Sequence, residues 1–188
     1  KYGAHFTVPV TLAQQFAQLS IKPDDVNFIA FSHLHFDHTG NANLFARATW
    51  ILNTKELAWA ESQPAPGGVD LATIAGYKAA QVKRVAYDED VFGDGTVKIL
   101  KTPGHTPGHQ SLLLKLAKSG TVILSGDLWH TRANHEHRRM PGFNDSRADT
   151  LASFDRIAAI ARHTKARIVV QHDPADFKAL PKFPAYLE

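Results

Sequence analysis

Apolar residues along this chain fall into short runs separated by polar stretches rich in glycine and proline. Leu12, Phe16 and Leu19 recur at helical spacing and predict a helix over residues 11–20, ended by the turn Lys22-Pro23-Asp24-Asp25. The short apolar run over 26–31 predicts a buried strand. A second strand is predicted over 49–52 and a helix over 54–61. Pro64-Ala65-Pro66-Gly67-Gly68 breaks the chain before a further helix over 69–80. Four strands follow, over 82–87, 96–101, 111–116 and 121–125. Residues 129–144 are polar and rich in His and Arg, and predict no regular element. Leu151, Phe154, Ile157 and Ala161 mark a helix, and 167–171 is a last strand that runs into His172. The pattern is α/β (α+β) with mixed sheets, and histidines recur where strands end.

Length and composition narrow this only a little. A chain of 188 residues fits one domain, 1–188, with room for a real core. Net charge is +3, and Lys and Arg are scattered, with Arg138-Arg139 the densest cluster. That gives no track for nucleic acid and at most a mild attraction for small anions. With no cysteine there is no disulfide, no thiolate metal site and no cysteine nucleophile, and neither the cytosol nor the periplasm is excluded. No apolar run approaches the roughly 20 residues that span a bilayer, and no stretch reads as a signal peptide, although the chain opens at Lys1 without a methionine. Histidine is the outlier, with 11 copies, several of them close together.

Their placement carries the chemistry. Ser32-His33-Leu34-His35-Phe36-Asp37-His38 sets four ligand-type side chains after an apolar strand. On extended backbone His33 and His35 point the same way and can share one ion, while Asp37 and His38 can reach a second. Imidazole and carboxylate are zinc's ligands where thiolate is missing, and iron, manganese and cobalt accept them too. Thr102-Pro103-Gly104-His105-Thr106-Pro107-Gly108-His109 is a doubly turned loop that suits a side chain held rigidly. His105 reads as a ligand, and His109 as a hydrogen-bonding support for the site. Asp127 closes the strand over 121–125, where a carboxylate can bridge two cations, and Gly126 before it permits a close backbone approach. Taken singly, Asp127 reads equally as a turn or cap residue and His172 as an ordinary lone histidine.

Taken in order, His33-x-His35-x-Asp37-His38, His105, Asp127 and His172 resemble the ligand pattern of the metallo-β-lactamase superfamily over nearly the whole chain. The Thr-Pro-Gly-His-Thr-Pro-Gly-His-Gln-Ser block and the Pro-Ala-Tyr near Tyr186 look like the N-acyl homoserine lactonase-like branch. The resemblance implies an αβ/βα four-layer sandwich. It also implies two divalent ions per site, zinc first, with His33, His35 and His105 on one, Asp37, His38 and His172 on the other, and Asp127 between them. His35 stands where the superfamily's diiron flavoproteins carry Glu, which argues against redox chemistry. Related lactonases carry a tyrosine three residues past the bridging Asp, and here that position is His130. The fold's opening strands and an Asp-Thr-Gly turn would precede residue 11 and are lacking here. The expected partner is therefore either a second copy of the chain, as a homodimer, or the missing N-terminal segment, since a sheet without its first strands exposes an edge. By the same likeness, a periplasmic or secreted setting is favoured over the cytoplasm.

The expected activity is hydrolysis by a hydroxide bridging two metal ions, opening a small-molecule lactone or ester, N-acyl homoserine lactone first. Asp37, Asp127 and His130 are the expected catalytic residues, with Asp127 moving the proton and His130 assisting the oxyanion. Trp129, Met140 and Phe143 are expected to contact substrate. The same ligand set admits a β-lactam hydrolase, a thioesterase or phosphoesterase, or a non-catalytic metal-binding fragment.

Overall fold

The computed structural model describes residues 8–188. Helix α1 (Leu12–Gln18) opens with Thr11 in a reciprocal capping box with Gln14. Three parallel strands follow in the order β1 (Phe28–Ala30), β2 (Thr49–Asn53) and β3 (Val82–Val85). Between them lie the single turn α2 (Phe36–Thr39) and helix α3 (Thr54–Ala60). A second sheet runs β4 (Glu89–Asp90), β5 (Val97–Lys101), β6 (Gln110–Leu116), β7 (Gly120–Leu124) and β8 (Arg167–Val169). Helices α4 (Arg132–Glu136), α5 (Arg147–Thr164) and α6 (Pro174–Ala179) complete the described chain. Among the described residues no helix is long and apolar enough to cross a membrane.

Strand alternation sorts the apolar side chains into layers. In β2, Trp50 and Leu52 face α3 and the turn after it, packing with Leu34, Leu57, Ala60 and Ile74. Ile51 points the other way and meets Val85 and Ile99, so the two sheets stack face to face. In β5 and β6, Leu100 and Leu113 point away from that interface onto Phe154 and Ile157 of α5. Thr150, Ser153, Phe154 and Ile157 form the buried stripe of α5 at helical spacing. The result is helix, sheet, sheet, helix, the four-layer αβ/βα sandwich.

Several sequence expectations change. The strand expected to be buried over 26–31 is the three-residue β1, in which Phe28 and Ala30 are exposed. The helix over 69–80 is instead a 3₁₀ segment, Leu71–Lys78. Asn43 inserts its amide where an α-helix would pair Ala72 with Gly76: Nδ2 donates to the Ala72 carbonyl and Oδ1 accepts from Gly76 N–H, both at 2.8 Å. The stretch 129–144 does contain a helix, α4, started by a capping box between Thr131 and Asn134. Its Asn, in place of the usual Glu or Gln, hid the signal. Strand β4, the single turn α2 and helix α6, the last capped by Asp173, are further elements that the sequence pattern did not predict.

Sheet direction positions the site. β5 and β7 are each antiparallel to β6, and β8 is parallel to β7. The C-terminal ends of β5, β7 and β8 therefore lie on one edge, which carries His105, Asp127 and His172. β1 delivers the His33–His38 segment to the same place.

Candidate metal centre

His33 Nε2 lies 2.9 Å from His35 Nδ1, and His105 Nε2 lies 3.1 Å from that same atom. These three form one converging group. A second is made by His38 Nε2 and His172 Nε2, 3.3 Å apart, with Asp37 Oδ2 at 3.6 and 3.7 Å from them. Asp127 stands between. Its Oδ2 is 3.6 Å from His105 Nε2 and 3.9 Å from His33 Nε2, while Oδ1 is 3.1 Å from His38 Nε2 and 3.2 Å from His172 Nε2. All seven expected ligand residues are thus brought together. His33, His105 and Asp127 are buried and His35 is half-buried, whereas the second group opens to solvent through Asp37 and His172.

Ring nitrogens this close share either a proton or a cation. Burial lowers His33 and His35 and takes His105 down to about 3, so these imidazoles are neutral and offer lone pairs. Burial alone would raise Asp127, but its contacts with His130, His172 and His38 outweigh this and hold it far below the usual carboxylate range. The hydrogen bond to Asp127 raises His172 in turn. Asp127 Oδ1 and His105 Nδ1 are buried without a well-directed hydrogen bond. Tetrahedral ligands on bonds of about 2.05 Å would sit about 3.3 Å apart. The observed separations bracket that spacing, and the donor set fits divalent cations.

The supports are local. Ser32 Oγ lies 3.1 Å from His33 Nδ1 and 3.3 Å from His38 Nδ1, and these contacts hold each ring with its Nε2 facing the centre. His109 is held by Thr102 through Nδ1, and its Nε2 accepts the Asp127 N–H at 3.0 Å, the supporting role expected of it. Gly126 has φ +58°, and a Cβ there would meet the His109 ring and Ser32, so the close approach read from the sequence is real. His130 Nε2 reaches Asp127 Oδ2 at 3.1 Å, which places it inside the cluster.

The expected substrate residues separate. Trp129 is 2% exposed and stacks on Phe154 in the core beneath α5, so it presents no face to a substrate. An indole next to His130 in sequence points the opposite way because the chain is extended there, with φ −132° and ψ 139°. Met140 packs against that same core. Phe143 stands 73% exposed with its ring 5.7 Å from His130, at the mouth of the site. Arg138, read as a source of positive charge, is paired with Asp155 at 2.7 Å.

Sequence reasoning missed the buried Glu56, which binds two ligand loops at once. It also missed Arg132, whose Nε donates to Asp176 while its main-chain N–H donates to Asp173, beside His172. The signal for Glu56 was available: it lies four residues before Ala60, on the buried face of α3.

Comparison with known proteins agrees with this geometry. The sequence profile of the Metallo-beta-lactamase superfamily matches residues 7–172. The N-acyl homoserine lactonase AttM of Azorhizobium caulinodans is 35% identical over 185 residues, covering 93% of this chain and 68% of AttM. AiiA, the N-acyl homoserine lactonase of Bacillus thuringiensis subsp. kurstaki, is 32% identical over 90% of this chain and 65% of its own length. A solved structure of an N-acyl homoserine lactone hydrolase, with N-hexanoyl-L-homoserine bound at its catalytic metal centre, superposes with a TM-score of 0.83 at 30% identity, covering 94% of this chain and 67% of the other. The chain thus spans about two thirds of the length of these relatives. Fold, ligand order and profile agree, and the chain belongs to the metallo-beta-lactamase superfamily.

Proposed function

We propose that this chain is a metal-dependent hydrolase that opens the lactone ring of N-acyl homoserine lactones. The observation that carries the reading is Asp127, which turns one carboxylate oxygen toward each histidine group. The lactone assignment is supported by relatives that are N-acyl homoserine lactonases at 35–38% identity. In this reading His33, His35 and His105 would hold one ion and Asp37, His38 and His172 a second, with Asp127 available to both. Zinc is the first choice, and iron, manganese and cobalt suit the same donors. When bound, the pair supplies an acidified water and a Lewis acid for the ester carbonyl.

The chain's own groups then divide the work. Water adds to the ring carbonyl, the ring C–O bond breaks, and the released alkoxide takes up the proton that water has lost. Asp127 is placed to pass that proton, with one carboxylate oxygen turned toward each histidine group. His130 is the donor beside the carbonyl, in the position of the lactonases' tyrosine. Phe143 offers its exposed ring to the acyl chain.

Ring opening releases acid, so a pH-stat assay on N-hexanoyl and N-decanoyl homoserine lactone, run alongside nitrocefin, tests the proposal. Turnover of the lactones by the metal-loaded chain is expected. Inertness toward both acyl lengths, with the metal bound, would remove the lactone assignment, and nitrocefin cleavage in its place would make the chain a β-lactam hydrolase.

A further inference from the structure

The two loops that supply the first histidine group come from different sheets, and no strand ladder joins them. His33 and His35 follow β1 in the three-stranded sheet, while His105 follows β5 in the five-stranded one. Glu56 reaches both. One carboxylate oxygen, Oε1, accepts the N–H of Leu34, and the other, Oε2, accepts the N–H of Gly108, each at 2.9 Å. Leu34 lies between His33 and His35, and Gly108 lies three residues past His105. The side chain is 3% exposed, so both bonds form out of reach of water.

The surroundings leave Glu56 little freedom. It sits in the first turn of α3, where Asn53 Oδ1 accepts the N–H groups of Lys55 and Glu56 at 2.9 and 3.3 Å. A Cβ at position 108 would collide with Glu56 N, so only glycine lets the His105 loop come this near α3. Gln110 stitches the same two loops a few residues away, its N–H donating to the Ser32 carbonyl at 2.7 Å and its side chain to the Phe31 carbonyl at 3.0 Å. His172, in the second group, has separate support. Asp176 accepts Val170 N–H at 2.6 Å and Arg132 Nε at 2.8 Å, and Asp173 accepts Arg132 N–H at 2.8 Å, which frames His172.

We propose that Glu56 is a positioning residue that holds the His33–His35 and His105 loops in register, and so sets the affinity of the first ion without setting that of the second. This rests on the reading that His33, His35 and His105 share one ion. Glu56→Gln is the sharpest probe, because it keeps the shape but turns one acceptor into an N–H₂ that must face the N–H of Leu34 or Gly108. Glu56→Asp keeps the charge but is one methylene too short to reach both.

The test is titration of the chelator-stripped chain with Co(II) and Zn(II), following calorimetry and the Co(II) visible spectrum. Ile74→Ala serves as a control, since it loosens the apolar cluster that includes Leu34 while leaving both Glu56 hydrogen bonds in place. In Glu56→Gln one binding step is expected to weaken about 10–100-fold while the other stays in place, and Glu56→Asp should weaken that same step by less. Should Glu56→Gln fail to fold, Glu56→Asp carries the test. Two unchanged steps would overturn the proposal, and so would a loss shared equally by both steps and matched by Ile74→Ala. A wild-type chain that takes up only the second ion would instead remove the ligand reading beneath it, an outcome recognisable before any variant is made.

Discussion

His109 and Asp127 meet through the main chain: the Asp127 N–H donates to His109 Nε2 at 3.0 Å, while the Asp127 carboxylate points away into the two histidine groups. His109 itself is fully buried and is fixed through Nδ1 to Thr102. A histidine with both nitrogens engaged in this way fixes a carboxylate without touching it. His109→Phe should leave a buried N–H unpaired, costing about 1–3 kcal/mol. Turnover should fall about 10–100-fold. Urea unfolding and lactone kinetics check the two effects, and a variant with wild-type turnover would show that the Asp127 backbone holds itself in place.

The same burial gives a pH dependence with a definite sign. Burial lowers His109 from 6.5 to about 4. The unfolded chain therefore takes up a proton near pH 6.5 that the folded chain refuses until about 4, and stability falls as pH falls through that window. His33 and His105, also lowered, act in the same direction, whereas His172, raised by Asp127, opposes them. For His109 alone the full effect is about 3 kcal/mol. The metal-free chain should show a lower urea midpoint at pH 5 than at pH 7, and His109→Gln should flatten the difference. A midpoint that rises on acidification would contradict the sign.

What the sequence revealed follows a physical divide. His33, His35, His38, His105, Asp127 and His172 were legible because ligand chemistry demands particular residue types, and each follows a strand that hydrophobic pattern alone identifies. Trp129 was misplaced because an indole beside His130 reads as a site wall, and only the extended backbone there sends the two side chains opposite ways. Asn43 turned an expected α-helix into a 3₁₀ segment through contacts about thirty residues away, which no local window contains. Glu56 lies in the first turn of a helix, and it becomes a clamp only once two sheets bring Leu34 and Gly108 to it.

Trp129 and Phe143 make the revised substrate assignment testable by their contrast. Trp129→Ala removes a stacked core ring and should cost about 3–5 kcal/mol. Phe143→Ala removes an exposed ring and should leave stability within about 0.5 kcal/mol. Phe143→Ala should instead raise KM for N-decanoyl more than for N-hexanoyl homoserine lactone. Equal KM values across chain length would take Phe143 out of the acyl path.

Metal removal should be felt most where like groups crowd. Without a cation, His33 Nε2 and His105 Nε2 each lie about 3 Å from His35 Nδ1, and the Asp127 carboxylate faces both groups. The unfolded chain does not preserve that convergence, so the ion binds the folded state selectively. At a free ion concentration 100 times Kd, one such site adds about 2.7 kcal/mol, and two independent sites add about twice that. The melting temperature should therefore fall on chelation and recover with added zinc. Asp127→Asn should shrink the gap between the two states and lose turnover, because the amide keeps the shape while giving up one of the two donor oxygens. If chelation left the melting temperature of the wild-type chain unchanged, the crowded histidines would be a structural feature of the fold and not a cation site.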